Sequence, residues 1–458
     1  MLDKLFGLKA HGTKAKTELV AGLTTFMTMA YIIFVNPSIL SATGMDENAV
    51  FVATILASAI ATFIMAFVAN VPYALAPGMG LNAMFTYTIC LGMNIPWQQA
   101  LAIVFICGII NIIITVTKIR KMIIYAIPKT LQYAISGGIG LFIAYIGLID
   151  GHLLSFAPNS AADASGSYSA VVPAIVNFSS RDSILTLIGV VIIVILMILK
   201  VKGSILIGII ATTLIGIPMG LTTYDPKPFS LSLAPTFLKL DIAGLFSDPG
   251  QIFKILALIL TFSIADTFDT IGTFLGTGRV SGIFDQLDEE NLREGKGFSS
   301  RLDRALFADS TATSIGALLG TSNTTTYVES AAGIAAGGRT GMTSAVVGIL
   351  FLLCLVLSPV AGVVPTSATA AALIVVGILM AESLGNIEWD NLEIAIPAFF
   401  TIVIMPLAYS ITTGIQLGFL FYCIIMIFRK KAKEVHPIMY IVTAVFLLDY
   451  LIKALQLF

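Results

Sequence analysis

Long apolar stretches alternate with short polar segments along the whole chain. A stretch of about 20 apolar residues is long enough for a helix to cross the hydrocarbon core of a bilayer. The pattern predicts fourteen such spans, which we number in chain order. Their ranges are 18–36, 50–69, 72–92, 98–117, 130–149, 183–200, 204–220, 251–277, 302–320, 322–336, 341–358, 366–382, 391–408 and 411–429.

The composition agrees with a chain that is surrounded by lipid. Hydrophobic residues make up 57% of the 458 residues, charged residues make up 11%, and the mean hydropathy is +0.97. A soluble domain carries about 25% charged residues, so membrane lipid is the expected surrounding. The net charge of −1 attracts no polyanion, and no nucleic acid is expected as a partner.

Basic residues predict how the spans are oriented. Cytoplasmic connections of membrane proteins are enriched in Lys and Arg. With the N-terminus inside, most of the 25 Lys and Arg residues fall in inner connections. This predicts a multi-pass protein of the cell (plasma) membrane with both termini in the cytoplasm. A last apolar stretch, 437–457, contains Asp449 and Lys453, which favours a peripheral amphipathic helix over a fifteenth span.

The two halves of the chain resemble each other weakly. PKTLQYAISGGIGLF begins at Pro128 and PTSATAAALIVVGILM begins at Pro365, and a glycine, Gly140 or Gly377, follows twelve residues later in each. Both segments occupy the same place in a half of seven spans. Since seven is odd, the second half enters the membrane from the opposite side. This predicts the inverted repeat that many secondary transporters have.

Spans three and ten are interrupted by residues that disfavour a continuous helix. Span three reads PYALAPGMGLNAMFTYT from Pro72, and we expect extended chain over 72–80 and helix from near Leu81. Span ten begins with the polar run 322–326, and its helix is expected from near Tyr327. Because these are corresponding members of the two halves, their free helix ends are predicted to form a binding site at the midplane. Close helix packing is the alternative explanation of the Gly and Pro residues.

Acidic side chains inside the apolar spans are a second sign of a site. Asp266 and Asp269 lie three residues apart in span eight and share a helix face, and Glu329 lies in span ten. An acid within the membrane usually faces a cavity and serves binding or proton transfer. For Asp266 a structural role is an equal alternative, and Asp309 in span nine is expected to hold the core together.

The neighbouring polar and aromatic residues suit a small, flat, polar solute. Asn82, where the helix of span three resumes, offers both a donor and an acceptor. Aromatic rings stack on flat solutes, although most aromatic residues in membrane proteins only pack against other side chains. The candidates for stacking are Phe26, Tyr31, Phe85, Phe268 and Tyr327.

Several other kinds of function are disfavoured by the sequence. The four cysteines stand singly in apolar stretches and the three histidines in polar connections, so neither a metal site nor a cofactor is expected. The chain has no GxxxxGK[ST] phosphate loop, which argues against an ATP-driven pump. It has no Ser/His/Asp or HExxH constellation, which argues against an enzyme.

Four long motifs carry a resemblance that covers essentially the whole chain. They are TELVAGLTTFMTMAYIIFVNPSIL, APGMGLNAMF, ADTFDTIGTFLGTG and GTSNTTTYVESAAGIAAGGRTG. In these motifs the sequence resembles the AzgA-like adenine/guanine/hypoxanthine permeases of the nucleobase–ascorbate transporter superfamily, also called nucleobase:cation symporter-2 or xanthine/uracil permeases.

The resemblance implies a fold and a division into domains. The fold is an all-α integral membrane protein with fourteen transmembrane spans in a 7+7 inverted repeat, with short strands in spans three and ten. A core domain would comprise 1–117 (spans one to four) and 251–358 (spans eight to eleven). A gate domain would comprise 118–220 (spans five to seven) and 359–436 (spans twelve to fourteen). The segment 437–458 would be a peripheral or extra helix.

The resemblance also implies site residues and a mechanism. The family's acid-x-x-Gly pattern matches Asp269, its Thr-Thr-Tyr-x-Glu pattern ends at Glu329, and its span-three Asn matches Asn82. The residues implied to bind a purine base are Glu329, Asp269, Asn82, Tyr327, Val328 and Phe268. The candidates for proton coupling are Asp269, which we favour, with Asp266 and Glu329.

Two positions depart from the uracil and xanthine carriers of the superfamily. Ser330 follows Glu329 where Asn is usual, and Thr273 stands where His or Asp is frequent, so proton coupling is less expected at Thr273. The expected function is elevator-like uptake of adenine, guanine or hypoxanthine with protons, and the resemblance admits a homodimer. The alternatives are an anion transporter similar to the sulfate permeases and a solute channel.

Overall fold

The structure is a computed structural model that describes residues 2–117, 127–158, 171–176, 178, 180–222, 230–274, 283–284, 300–360 and 363–454. Some of the basic residues that predict the orientation lie outside these ranges. They include Lys118, Arg120, Lys121, Arg279, Arg293 and Lys296.

Nine helical segments in the described part of the chain are long and apolar enough to cross a bilayer. They correspond to predicted spans one, two, four, five, six, eight, eleven, twelve and fourteen. Their α-helices are Ala15–Met29, Ile32–Ser41, Glu47–Ile64, Trp97–Val116, Lys129–Asp150, Arg181–Ile198, Ile252–Thr273, Gly341–Leu353, Thr366–Met380 and Ile411–Phe428.

The other five predicted spans are shorter, more polar or interrupted. Spans seven and thirteen are the helices Ser204–Gly216 and Leu392–Leu407. Span nine, Arg301–Leu319, carries many polar residues and is mostly buried among its neighbours. Span three includes the helix Met79–Ala83, and span ten includes the helix Ser330–Ala335. Each predicted span therefore contains helix, and the predicted all-α membrane fold is confirmed.

Short strands occur in both interrupted spans, as predicted. Strand β1 (Leu75–Pro77) pairs antiparallel with β4 (Thr324–Thr326), with Ala76 opposite Thr325. A second pair, β2 (Leu154–Pro158) with β3 (Val171–Ile175), follows span five and was not predicted.

The helices after β1 and β4 begin a few residues from the predicted positions. Span three becomes helical at Met79 rather than near Leu81, and it continues as a π-helix over Met84–Gly92. Span ten becomes helical at Ser330 rather than near Tyr327. The reason is that the N–H of Tyr327 still bonds to the carbonyl of Ala74, so the sheet pairing extends one residue beyond β4.

Corresponding elements of the two halves meet in the interior. A Cβ on Gly140 of span five would lie 2.8 Å from the carbonyl oxygen of Gly377 in span twelve. A Cβ on Gly377 would lie 2.5 Å from the carbonyl oxygen of Gly140. Gly140 and Gly377, which occupy equivalent positions in the two halves of the chain, therefore allow the two helix backbones to cross in direct contact.

The spans pack as two groups. Spans one, two, four, nine and eleven contact one another extensively, and span eight packs on span four. Spans five, six, seven and twelve form a second group, together with spans thirteen and fourteen. The paired strands β1 and β4 lie in the first group, against spans two and nine.

The C-terminal helix Pro437–Ala454 packs lengthwise on span fourteen. Thr443 lies 3.4 Å from the sulfur of Cys423, and the ring of Phe446 lies 6.0 Å from that of Phe419. The helix therefore runs antiparallel to span fourteen, and it also contacts span eight. Its outer face is apolar and exposed at Ile441, which suits contact with lipid.

Candidate functional site

The paired strands hold the starts of two helices next to each other. The N–H of Gly78 donates to the carbonyl of Asn323 at 3.1 Å, which extends the pairing at the other end of the sheet. The hydroxyl of Thr62 bonds to both the N–H and the carbonyl of Leu75, at 2.9 and 3.1 Å. These bonds satisfy backbone groups that an interrupted span would otherwise leave unpaired.

Glu329 lies in the turn that precedes the helix of span ten. Its side chain is half-buried, and its Oε1 accepts a 2.6 Å hydrogen bond from the hydroxyl of Tyr31 in span one. The carbonyl of Glu329 also lies 3.4 Å from the hydroxyl of Thr28. Span one thus contacts both the backbone and the carboxylate of Glu329.

Asp269 of span eight is half-buried and lies within electrostatic reach of Glu329 and Tyr327. No described residue donates a hydrogen bond to its carboxylate. Within the described ranges, neither Asp269 nor Glu329 forms an ion pair. Two neighbouring carboxylates without a cation form a site that a ligand with N–H donors, or a proton, would stabilise.

Asp266 is buried and fully occupied by hydrogen bonds. It accepts bonds from Asn111 and Asn323, both at 2.9 Å, and from Thr313 at 3.2 Å. The bond from Asn323 fixes the residue directly before β4. In this arrangement Asp266 contacts the supporting structure of the site.

Asp309 holds the other end of β4. Its Oδ1 accepts the N–H and the hydroxyl of Thr326, both at 2.7 Å, and its Oδ2 accepts the hydroxyl of Thr270 at 2.7 Å. The strand is thereby attached to spans eight and nine. This position agrees with the structural role expected from the sequence.

Asn82 is completely buried, and its amide is already engaged. Its Nδ2 donates to Oδ1 of Asn36 at 3.0 Å, and Asn36 in turn donates to Thr54 and Thr321 at 2.8 and 2.9 Å. The Oδ1 of Asn82 has no partner among the described residues. Asn82 therefore links span one to the helix of span three and has one acceptor free.

The aromatic candidates differ in accessibility. Tyr327 is buried, and its hydroxyl donates to the carbonyl of Pro77 at 2.5 Å. Phe85 is fully buried, and Phe26 packs edge-on against Phe351 with ring centroids 5.4 Å apart. The side chain of Phe268 lies outside the described part of the structure.

Val328, between Tyr327 and Glu329, is 56% exposed. Among the predicted site residues whose side chains the structure describes, it is the most exposed. The structure therefore brings Glu329, Asp269 and Tyr327 together. Val328 is next to them in the chain, and Asn82 is buried among the residues that support the site.

A polar cavity lies between spans four, eight and nine. It is small, and Asn111, Thr270 and Asp309 line it. Asp269 and Glu329 do not line it.

Most of the sequence matches one family of permeases. The family model Xan_ur_permease, described as the Permease family, matches residues 16–417. The chain belongs to this permease family.

Relatives of the permease align over nearly their full length. A putative permease, MJ0326, of Methanocaldococcus jannaschii is 47% identical over 98% of this chain and 98% of its own. The guanine/hypoxanthine permease PbuG of Bacillus subtilis is 44% identical over 98% of this chain and 99% of its own. The adenine permease AdeP of Escherichia coli is 39% identical over 98% and 95%. The predicted resemblance is confirmed, and the chain is a multi-pass membrane transporter rather than an enzyme.

Solved structures share the fold of the permease. The transmembrane domain of the cyanobacterium bicarbonate transporter BicA matches with a TM-score of 0.63 at 15% identity, covering 88% of this chain and 97% of that one. SLC26A9 matches with a TM-score of 0.61 at 12% identity, covering 90% and 65%. At these identities the likeness shows the fold alone.

The sequence did not predict the structural contacts of three residues of the permease, which are Tyr31, Asn36 and Glu18. Tyr31 was considered only for stacking, and Asn36 was not singled out. Glu18, fully buried in span one, accepts hydrogen bonds from the N–H groups of Arg339, Thr340 and Thr343. It thus caps the first turn of span eleven. The sequence feature that could have indicated this role is the position of an acid at the edge of the first apolar stretch.

Proposed function

We propose that this permease takes up purine nucleobases together with protons. The observation that carries the proposal is the pair of carboxylates, Asp269 and Glu329, beside the paired strands β1 and β4, where no described residue supplies a cation to either of them. Relatives named adenine and guanine/hypoxanthine permeases support the choice of a purine. The proposed location is the cell membrane, with both termini in the cytoplasm.

The binding chemistry follows from the donor and acceptor groups. A carboxylate is a pure acceptor, and a purine presents N–H donors on its edge. Glu329 and Asp269 would accept these donors, and Tyr327, Val328 and Phe268 would contact the ring. Asn82 would support the site and offer its free Oδ1.

We assign the coupled proton to Asp269. Asp266 accepts three hydrogen bonds from side chains, and Glu329 accepts one from Tyr31, whereas no described residue donates to Asp269. Its carboxyl group is therefore free to exchange a proton with solvent or with the solute. Protonation would remove the repulsion between Asp269 and Glu329 when the base binds.

Movement of the two packed groups would give alternating access. Spans one to four and eight to eleven would form the core that carries the site, and spans five to seven and twelve to fourteen would form the gate. The inverted arrangement of the halves supports such an elevator-like movement.

The test is uptake of radiolabelled hypoxanthine by cells that lack their own base carriers, with adenine, guanine, xanthine and uracil as competitors. We expect saturable uptake that a protonophore abolishes and that adenine or guanine inhibits. Glu329→Gln and Asp269→Asn should each lower uptake about 10- to 100-fold, since each removes a hydrogen bond to a charged group.

Matched controls are available in the connection before span thirteen. Glu388 and Asp390 are exposed, so Glu388→Gln and Asp390→Asn make the same chemical changes away from the site and should leave uptake unchanged. Full uptake by both site variants would refute the site.

Uptake of bicarbonate or sulfate instead of bases would favour an anion transporter, and flux that does not saturate would favour a channel.

A further inference from the structure

Span one has an irregular helical turn beside the carboxylate pair. Its helices Ala15–Met29 and Ile32–Ser41 are separated by a turn at Ala30 and Tyr31. The turn places the Tyr31 hydroxyl against Oε1 of Glu329, at a distance of 2.6 Å. Tyr31 is only 1% exposed, so its ring offers no surface for a solute to stack on. Its contact with the site is the hydroxyl group.

The hydrogen bond fixes one half of the Glu329 carboxyl group. Tyr31 donates to Oε1, and no other side chain in the described part of the chain donates to either oxygen. The N–H of Glu329 itself also bonds to this carboxyl group, so the carboxylate faces the ligand as an acceptor in a defined orientation. A carboxylate held in this way selects partners that bring their own N–H groups.

We propose that Tyr31 is a positioning residue that holds Glu329 as an acceptor and so makes the permease prefer 6-oxopurines to adenine. The inference rests on the proposed function. Guanine presents N1–H beside its 2-amino group, and hypoxanthine presents N1–H. Adenine has an unprotonated N1 beside its 6-amino group, so its N1 would repel the carboxylate and only the 6-amino N–H at this edge could bond to it.

The test compares Tyr31→Phe with the wild type in transport kinetics. Phe keeps the ring and removes only the hydroxyl. We expect KM for guanine and hypoxanthine to rise about tenfold, because the carboxylate loses its fixed orientation, while the inhibition constant of adenine changes less than about twofold. Vmax per transporter in the membrane should stay near the wild-type value. An equal change for all three bases, or no change, would overturn the proposal.

Tyr440→Phe is the matched control. Tyr440, in the C-terminal helix, donates its hydroxyl to the carbonyl of Ala432 at 3.0 Å, away from the site. This variant should keep the selectivity of the wild type, and both variants should be compared for amount of protein and melting temperature in detergent.

A double-mutant cycle separates positioning from general packing. Because Tyr31 acts through Glu329, adding Tyr31→Phe to Glu329→Gln should change ligand-induced thermal stabilisation by guanine no further. Independent effects of the two substitutions would contradict the proposal. If Tyr31→Phe gives too little protein, Glu329→Gln supplies the readout: it should reduce the stabilisation by guanine more than that by adenine, and an unchanged ratio would overturn the inference.

The same measurements separate this inference from the proposed function. A wild-type protein that no purine stabilises would defeat the proposed function itself. A wild-type protein that binds purines, with Tyr31→Phe behaving like Tyr440→Phe, would defeat only the role of Tyr31.

Discussion

Three aspartates near the centre of the permease differ in their hydrogen-bond donors. The carboxylates of Asp266 and Asp309 each accept several bonds, from residues that hold β4 at its two ends. Asp269 accepts none from the described residues. A carboxylate surrounded by donors is held in place by the protein, whereas one without donors is available to a ligand or a proton.

This difference predicts that Asp269→Asn and Asp309→Asn fail in different ways. Asp269→Asn should lose accumulation driven by a pH gradient in proteoliposomes more completely than it loses exchange of base between equal pools, and its melting temperature should change little. Asp309→Asn should lower the melting temperature because Asn cannot accept all the bonds from Thr326 and Thr270, at a cost of about 1–3 kcal/mol. Equal melting temperatures for the two variants would contradict the assignment.

The sequence predicts a structural role for Asp309 and favours Asp269 for the proton, but it leaves the role of Asp266 open. Asp266 and Asp269 share a helix face by spacing, yet one is buried among donors and the other is half-exposed. The contact of Tyr31 with Glu329 joins residues 298 positions apart in the chain. Local sequence rules do not reach such contacts, because tertiary packing decides them.

At the scale of elements, the breaks in spans three and ten were predictable because Pro, Gly and a polar run have local effects. Which elements contact each other was less predictable from the sequence. Gly140 and Gly377 stood out as equivalent positions, and only the structure puts them in contact with each other.

The crossing of spans five and twelve predicts a strong effect of one added methyl group. Gly377→Ala would place a Cβ against the backbone of Gly140, which forces the helices apart and should destabilise the protein by about 1–3 kcal/mol. Gly385→Ala is the control, because a Cβ there meets nothing within 4 Å. Melting in detergent should distinguish the two, and equal melting temperatures would show that the helices do not cross in direct contact.

The cap on span eleven provides a second prediction for an element. In Glu18→Gln, one acceptor oxygen becomes an amide nitrogen that cannot bond to the N–H groups of span eleven. We expect a loss of about 1–3 kcal/mol and a lower melting temperature, with little change in KM for a base. Glu434→Gln, at an exposed position, is the control. A raised KM at unchanged stability would assign Glu18 to the solute site instead.

At the scale of the whole molecule, the two packed groups touch near the site. Tyr87 of span three donates to Asp150 at the end of span five, at 2.9 Å. Closer to the strands, a Cβ on Gly80 would overlap the side chain of Ile139 in span five. An elevator-like movement of one group along the other must break both contacts, so both report on whether transport requires sliding.

A disulfide between positions 80 and 139 would test that requirement. A Cβ on Gly80 would lie 3.7 Å from the Cβ of Ile139, within the range of about 3.5–4.5 Å for disulfides. In a background with the four native cysteines replaced, we expect oxidised Gly80→Cys/Ile139→Cys to lose uptake and a reductant to restore it. Ile139→Cys alone should be insensitive to oxidation. Uptake that persists with the disulfide formed would mean that spans three and five move together, which excludes sliding between the two groups at this contact.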